Sequence, residues 1–230
     1  MPPTDVRDCR DLATKREAFA VFRRWRSPQL IALGLTVAMS ARLIAGHWTL
    51  WDLPAAAVVF VITPFTEWAI HLHLFHADPR SLPARHLGVG SGHRRHHLDP
   101  GAIEWLLLTG ADAAVFQLLV VVVVVAITVP PLWLLGAPPA APALSAAVLA
   151  LTKLLEYEWD HFLFHTAYRP RTRWYRRLER NHRLHHWRNE NYWLGVTVNL
   201  GDRLLRTYPR TTTDVPMSAT ARTLDPGPES

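Results

Sequence analysis

The chain has 230 residues, of which 49% are hydrophobic, and it carries a formal net charge of +6 with a pI near 10.1. A length of this order suits one domain with a sizeable core. Of the 25 lysines and arginines, 23 lie in three segments, 1–29, 77–101 and 166–230, and the sequence between these segments is apolar. Such segregation argues against a soluble enzyme. It also argues against a nucleic-acid partner, because a basic nucleic-acid binder does not need several separated apolar runs.

This distribution of charge is typical of a membrane protein with an even number of crossings. The two candidate outer loops, 46–54 and 127–142, contain no Lys or Arg. We therefore expect both termini, and the basic segment between the second and third crossings, on the cytosolic side. Cys9 is the single cysteine, so no intrachain disulfide can form, which agrees with that location.

Residues 1–29 are predicted to form a cytosolic basic segment. Phe19, Phe22 and Trp25 have a spacing that suits a helix lying on the membrane surface. A frayed tail is the alternative for the first dozen residues. Residues 209–230 have the composition of a disordered tail.

The segment 30–208 is predicted to be the membrane domain. Its apolar runs predict four crossings, at about 30–46, 54–76, 102–129 and 143–160. Arg42 interrupts the first crossing and must reach the interface or find a partner. The proline-rich residues 130–142 predict the second outer turn, because proline does not sustain a helix. The expected fold is an all-α integral membrane four-helix bundle with a cytosolic helical cap that carries the histidine motifs.

Ten of the 13 histidines fall in two similar sets. Within Tyr157–Thr197, an H-x3-H pair is followed by an H-x2-H-H group, and an earlier stretch has an H-x4-H pair followed by another H-x2-H-H group. Residues three and four apart share one face of a helix, so each group can aim its imidazoles at one point. The ten are His71, His76, His93, His96, His97, His161, His165, His182, His185 and His186.

This histidine pattern predicts a metal site. Neutral imidazole is a common ligand of both zinc and iron. Ten ligands exceed the four that one structural zinc needs and match two metals with about five nitrogens each, leaving positions open for a small ligand. Three histidines remain. His47 is expected to be interfacial, and His86 is expected to be solvated. His73 is expected either to support a ligand indirectly or to be a bystander.

A ligating imidazole usually donates its other N–H to a carboxylate or carbonyl group. Glu67, four residues before His71, is predicted to accept such a bond, and Asp202 is the second candidate. Weaker candidates are Asp99, Glu156, Glu158 and Asp160, each of which could equally pair with a neighbouring arginine.

The chain resembles the fatty acid hydroxylase superfamily of membrane di-metal enzymes, which includes sterol desaturases. Over about residues 55–208, four blocks are similar to those of fatty acid 2-hydroxylases and occur in the same order: EWAIHLHLFH (67–76), HRRHHLDP (93–100), YEWDHFLFH (157–165) and NHRLHHWRNENYWLGVTVNLGDRLLRT (181–207). The resemblance implies that the ten motif histidines bind two Fe ions, with O₂ as co-substrate. No cytochrome b5 domain is fused to the chain, so a separate ferredoxin- or cytochrome b5-like electron donor is expected.

The leading hypothesis is therefore a membrane monooxygenase that hydroxylates a lipid, with a fatty acyl chain favoured. A sterol or carotenoid hydroxylase or desaturase with the same metal site is the nearest alternative. A histidine-rich metal-binding protein or transporter is the alternative from another class, and zinc is expected to compete with iron in purified protein. The basic residues from Arg169 to Arg188 are interpreted as anchors to anionic lipid headgroups and as a docking face for an acidic donor.

Overall fold

The computed structural model describes residues 6–46, 48–78, 80–81, 89–108 and 110–221. Every regular element in these ranges is helical, which confirms the predicted fold class. The α-helices are α1 (Lys15–Phe22), α2 (Arg26–Ala45), α3 (Asp52–Ile70), α4 (Val89–Leu98), α5 (Ile103–Leu106), α6 (Gly110–Leu134), α7 (Ala140–Phe164), α8 (Arg173–Trp187) and α9 (Leu200–Leu204). A π-helical turn, His71–Phe75, continues α3, and short 3₁₀ turns lie at Cys9–Asp11 and Thr212–Asp214.

Four of these helices are long and apolar enough to cross a membrane. They are Arg26–Ala45, Asp52–Phe75, Asp112–Leu134 and Ala140–Phe164, each of 20 to 25 residues. At 1.5 Å per residue, such helices reach across a hydrocarbon core of about 30 Å. The last of them, α7, packs against the other three. Large apolar side chains such as Leu33, Val37 and Phe60 point outward, as expected for helices that face lipid.

The third crossing differs from its predicted bounds at both ends. Residues 103–106 form the separate helix α5, and the long helix runs from Gly110 to Leu134, through Pro130 and Pro131. A proline ring has a backbone φ that suits a helix, and its missing N–H removes one hydrogen bond to the preceding turn. So close to the end of the helix, the two prolines cost only these hydrogen bonds. The helix ends at Leu134, and the turn that follows contains Gly136, whose φ is +95°. The outer turn therefore begins after residue 134 rather than at 130.

The described part of the N-terminal segment is ordered and joins two loops of the cap. The backbone N–H of Cys9 donates to the Gly101 carbonyl, and the N–H of Ala167 donates to the Leu12 carbonyl, both at 2.9 Å. The buried Cys9 thiol donates to the His165 carbonyl at 3.0 Å. The frayed alternative does not hold for residues 6–12, because these bonds tie them to the histidine loops. Burial raises the pKa of this thiol to about 12.

Residues 211–221 also differ from the disorder that their composition predicts. The N–H of Ser218 donates to the Arg188 carbonyl at 2.7 Å, and the Arg188 guanidinium donates to the Val215 carbonyl at 2.9 Å. Val215 and Ala221 are buried. These backbone contacts hold the segment against the loop that follows α8, while residues 222–230 lie outside the described ranges.

Arg42 has the partner that its position in a membrane helix requires. Its side chain is fully buried, and its Nη2 lies 2.8 Å from Oδ2 of Asp52 at the start of α3. Its Nε donates to Ser145 Oγ on α7 at 3.0 Å, and its guanidinium lies 3.8 Å from the ring centre of Trp48. One arginine thus connects three of the four crossing helices or their ends.

Breaking this ion pair on one side is expected to destabilise the protein strongly. The substitution Asp52→Asn leaves the buried guanidinium without a counter-charge, which costs about 3–5 kcal/mol in comparable buried pairs. Thermal unfolding in detergent, followed by tryptophan fluorescence, should show a lower Tm for D52N. The double variant R42M/D52N should regain part of that loss, because no unpaired charge remains. An unchanged Tm for D52N would contradict the assignment.

Candidate metal centre

The π-helical turn at the end of α3 brings His71 and His76 together. Five residues apart on an α-helix, two side chains point about 140° away from each other. In the turn the N–H of His76 bonds to the His71 carbonyl, and the wider helix brings both rings to one side, with centroids 5.1 Å apart. His73 is exposed on another side, with its ring edge toward Trp68. The bystander interpretation of His73 agrees with this position.

The other eight motif histidines lie on α4, at the end of α7 and on α8. His161 and His165 are one turn apart where α7 ends. On α8, a Thr172 N-cap starts a helix whose inner face carries His182, His185 and His186. The same three-and-four spacing puts the three α4 histidines on one side of that helix.

The structure gathers all ten histidines into two clusters of five. The first cluster is His71, His76, His93, His97 and His185, and the second cluster is His96, His161, His165, His182 and His186. Within each cluster the nearest ring nitrogens all lie within 4.8 Å of one another. Five nitrogens converging on one point is the donor set that the sequence predicted for each metal.

The clusters do not divide as the two halves of the sequence do. His185, from the later half, completes the first cluster, and its Nε2 lies 3.2 Å from Nε2 of His97. His96, from the earlier half, completes the second cluster, with its Nε2 3.1 Å from that of His165. Adjacent residues on α4 and on α8 therefore point into different clusters, and neither half of the chain forms a complete one.

The chemistry of these nitrogens suits a cation. The Nδ1 atoms of His71 and His185 lie 2.6 and 3.0 Å from the carbonyl oxygens of Leu194 and Tyr192. A carbonyl oxygen only accepts, so each Nδ1 carries the proton and each Nε2 presents a bare lone pair to its cluster. The Nε2 atoms of these two histidines are therefore available to bind a cation.

Burial keeps the imidazoles of the cap neutral. Burial is the largest cause of the lowered pKa of each imidazole. Neighbouring histidines lower these pKa values further, and so does a nearby arginine for some of them. Neutral imidazole is the form that binds a metal. The histidines with this lowered pKa are His76, His93, His96, His97, His165, His182, His185 and His186.

Glu67 does not contact His71, contrary to the sequence-based prediction. Its Oε1 accepts from the backbone N–H groups of Val196 and Thr197, the latter at 2.9 Å, and its Oε2 accepts from the Thr197 hydroxyl at 2.6 Å. The reason is that the Leu194 carbonyl already occupies Nδ1 of His71. Glu67 therefore acts on the loop that carries this carbonyl rather than on the histidine.

Asp202 holds the same loop from the other side. Its Oδ1 accepts from the N–H of Leu194 at 2.9 Å and its Oδ2 from the N–H of Gly195 at 2.7 Å. Its Oδ1 also accepts from the Thr207 hydroxyl at 2.6 Å. Burial raises the pKa of the Asp202 carboxyl, and these hydrogen bonds oppose that rise. We call residues 194–197, held by the two carboxylates, the clamped loop.

The four weaker acidic candidates bond to groups other than the motif histidines. Glu158 accepts from Ser27, Asp160 accepts from the Tyr175 hydroxyl, and Glu156 pairs with Lys153. Asp99 accepts from the Gly101 N–H at 3.2 Å. His47 and His86 lie outside the described residues. Sequence reasoning missed the carbonyl groups of Tyr192 and Leu194, because a backbone acceptor has no residue type to mark it.

A mostly apolar groove lies among the membrane helices, close to the histidines. It lies between α3, α6 and α7, and its empty space, with open solvent at its mouth included, is about 500 Å³. Ile70, Phe116, Val120, Val124, Ala150 and Leu154 are among its lining residues. At its upper end Phe75 stacks on His93 and Tyr157 stacks on His161, with ring centroids 4.9 and 5.8 Å apart. Two aromatic residues of its lining thus contact one histidine of each cluster.

Comparisons with known proteins agree with this geometry. The family model described as fatty acid hydroxylase matches residues 56–207. The chain belongs to the fatty acid hydroxylase family. Among solved structures, full-length Scs7p, in which only the hydroxylase domain is visible, has the same fold with a TM-score of 0.63 and 21% sequence identity. The match covers 84% of this chain and 69% of that one. No curated protein matches the chain.

Loosening the clamped loop is expected to weaken metal binding in the first cluster. Asp202→Asn replaces one carboxylate oxygen with an NH₂ group, which cannot accept from the loop backbone. The Leu194 carbonyl then no longer fixes His71, and such indirect changes typically lower metal affinity about 10–100-fold. Competition with a chelator, read by metal analysis, should release about half of the bound metal more easily from this member of the family. Asp214→Asn, on an exposed carboxylate, is the matched control, and equal retention in both variants would contradict the role of Asp202.

Proposed function

We propose that the protein is a membrane-bound di-iron monooxygenase that hydroxylates an unactivated C–H bond of a lipid. A fatty acyl chain is the favoured substrate. The observation that carries the proposal is the pair of five-histidine clusters, each in contact with an aromatic residue that lines an apolar groove between membrane helices. Family membership supports the same reaction class.

The reaction must balance as R–H + O₂ + 2 e⁻ + 2 H⁺ → R–OH + H₂O. Iron ions held by the two clusters would supply the electrons to O₂ at the point where the C–H bond is broken. Five imidazoles per ion leave room for a small ligand and give a cationic site, unlike a carboxylate-rich one. Zinc suits the same nitrogens and would yield an inactive protein.

The residues of the chain would position the substrate and keep water away. The lipid chain would lie along the groove beside Val120 and Ala150 and present one carbon between Phe75 and Tyr157. Eight of the ten histidines are buried, so the reacting carbon would meet the clusters in a site largely closed to bulk water. The groove opens within the membrane helices, which suits a substrate that arrives from the bilayer.

The charge distribution supports a cytosolic metal site and cytosolic termini. Arginines crowd the cap, whereas the connections at the far ends of the crossings carry none. Electrons from a separate donor would then arrive from the aqueous side. A transporter would need ligands along a path through the middle of the bundle, and both clusters lie instead at the ends of the crossings and in the cap. A sterol or carotenoid remains the second candidate substrate, since the groove is apolar throughout most of its length.

Replacing a cluster histidine is expected to abolish oxidation of the host lipids. His161→Ala removes one ligand of the second cluster and should lower the hydroxylated product at least about 100-fold. Mass spectrometry of lipids from cells with and without the protein should show a gain of one oxygen that depends on iron. His73→Ala is the matched control, because His73 is exposed and outside both clusters. Product formation by a metal-free protein would overturn the proposal, and loss of two hydrogens instead would assign desaturation.

Filling the groove is expected to impair oxidation without affecting the metals. Ala150→Phe adds a ring among apolar lining residues, and Ala150 belongs to no cluster. We expect a rate on long-chain lipid about tenfold lower, with the metal content unchanged. Ala143→Phe, on the same helix but outside the groove lining, is the control. Equal rates for both variants would show that the substrate reaches the clusters by another path.

A further inference from the structure

Helix α8 has a strongly basic outer face directly behind the histidines it contributes. Its arginines recur at intervals of three and four residues, so they form one strip along the helix. We call this set the arginine strip: Arg173, Arg176, Arg177, Arg180 and Arg183, all of them exposed. His182, His185 and His186 project from the opposite, buried face. Only the thickness of one helix, about 10 Å, separates the strip from both clusters.

The strip carries an almost unopposed positive charge. Among the described residues, Arg183 is the single member with an acidic group within 4 Å, the Oε1 of Glu179 at 3.8 Å. Glu179 is mostly buried and is the only acidic residue of the helix. Five cations gathered on one face create a potential that attracts an acidic surface and steers its approach.

An opening beside the strip reaches the second cluster. It is lined by Arg169, Arg183 and Trp187 at the surface and by His165 and His186 inside. His165 is the one member of its cluster that is not fully buried. A redox protein seated over this opening would bring its cofactor close to a metal ligand.

We infer that the arginine strip and this opening form the docking surface for an acidic one-electron carrier protein. The inference rests on the proposed function, which needs two electrons from outside the chain for each O₂. In each transfer the reduced centre of the carrier would lose one electron to ferric iron held by the clusters, so two carriers would serve one turnover.

An anionic membrane surface is the competing occupant of the strip. A helix that lies in the membrane interface inserts an apolar face beside its charges. On α8 the face opposite the arginines is already used, because it packs Leu178 and the histidines inside the protein. Its exposed tryptophans, Trp174 and Trp187, lie near its two ends, and every exposed residue between them is an arginine. A soluble acidic partner therefore fits this surface better than lipid headgroups do.

The test uses the full chain in nanodiscs of phosphatidylcholine and the soluble haem domain of a cytochrome b5 as the acidic carrier. R176E/R180E reverses two charges in the middle of the strip, and R16E/R24E makes the same change on exposed residues of the N-terminal segment. Binding of the carrier is measured on metal-free protein at increasing ionic strength. Anaerobic re-oxidation of the reduced haem is measured on iron-loaded protein.

We expect R176E/R180E to weaken carrier binding at least tenfold and to slow haem re-oxidation by a similar factor, while R16E/R24E changes either by less than twofold. Salt should weaken binding to the wild-type protein and have little effect on R176E/R180E. Equal losses in both variants, or none in R176E/R180E, would overturn the inference. So would a strip variant that binds the carrier normally but loses affinity for vesicles containing phosphatidylglycerol.

A second arm separates this result from a failure of the proposed function. Each variant is reduced chemically, freed of reductant, and then exposed to O₂ with lipid, so that no carrier is needed. R176E/R180E should give the wild-type yield of hydroxylated lipid in this single turnover. If even the wild-type protein gives none, the proposed function fails, while the binding and haem measurements still decide where the carrier docks.

Discussion

The gathering of ten imidazoles at two points, most of them buried, is the constraint on which this structure depends. Nothing in a histidine favours such a cluster by itself, so the surrounding chain must hold it together. The clamped loop shows how it does so. Two carboxylates, from α3 and α9, hold a backbone turn whose carbonyl fixes the tautomer and direction of His71. A metal-binding histidine usually bonds to a carboxylate directly. Here the carboxylates hold the backbone turn whose carbonyl bonds to His71.

The exchange of His96 and His185 between clusters makes the two sites interdependent. On α4 and on α8, neighbouring histidines differ in direction by about 100°, enough to serve separate points. A shift of either helix would move ligands in both clusters at once. The two sites are thus one structural unit, although each has its own set of five nitrogens.

The sequence predicted the ten histidines and the four crossings because spacing and hydropathy are local signals. The sequence could not predict how the ten histidines divide between the two clusters, because this division depends on how α4 meets α8 across the bundle. The π-helical turn at His71 was not predicted either, because one extra residue per turn does not change the composition of the segment. Glu67 was assigned the wrong partner, because the group that bonds to His71 in its place is the backbone carbonyl of Leu194. The predicted start of the outer turn at Pro130 was wrong, because proline is tolerated where a helix is about to end.

The position of α8 along the chain has a consequence for biosynthesis. Both clusters require histidines from this helix, which is made after all four crossings. A chain made only as far as His165 has four members of one cluster and three of the other. Residues 6–12 bond to Ala167, which also follows the fourth crossing. Neither set of five nitrogens is therefore complete until the chain has been made through α8.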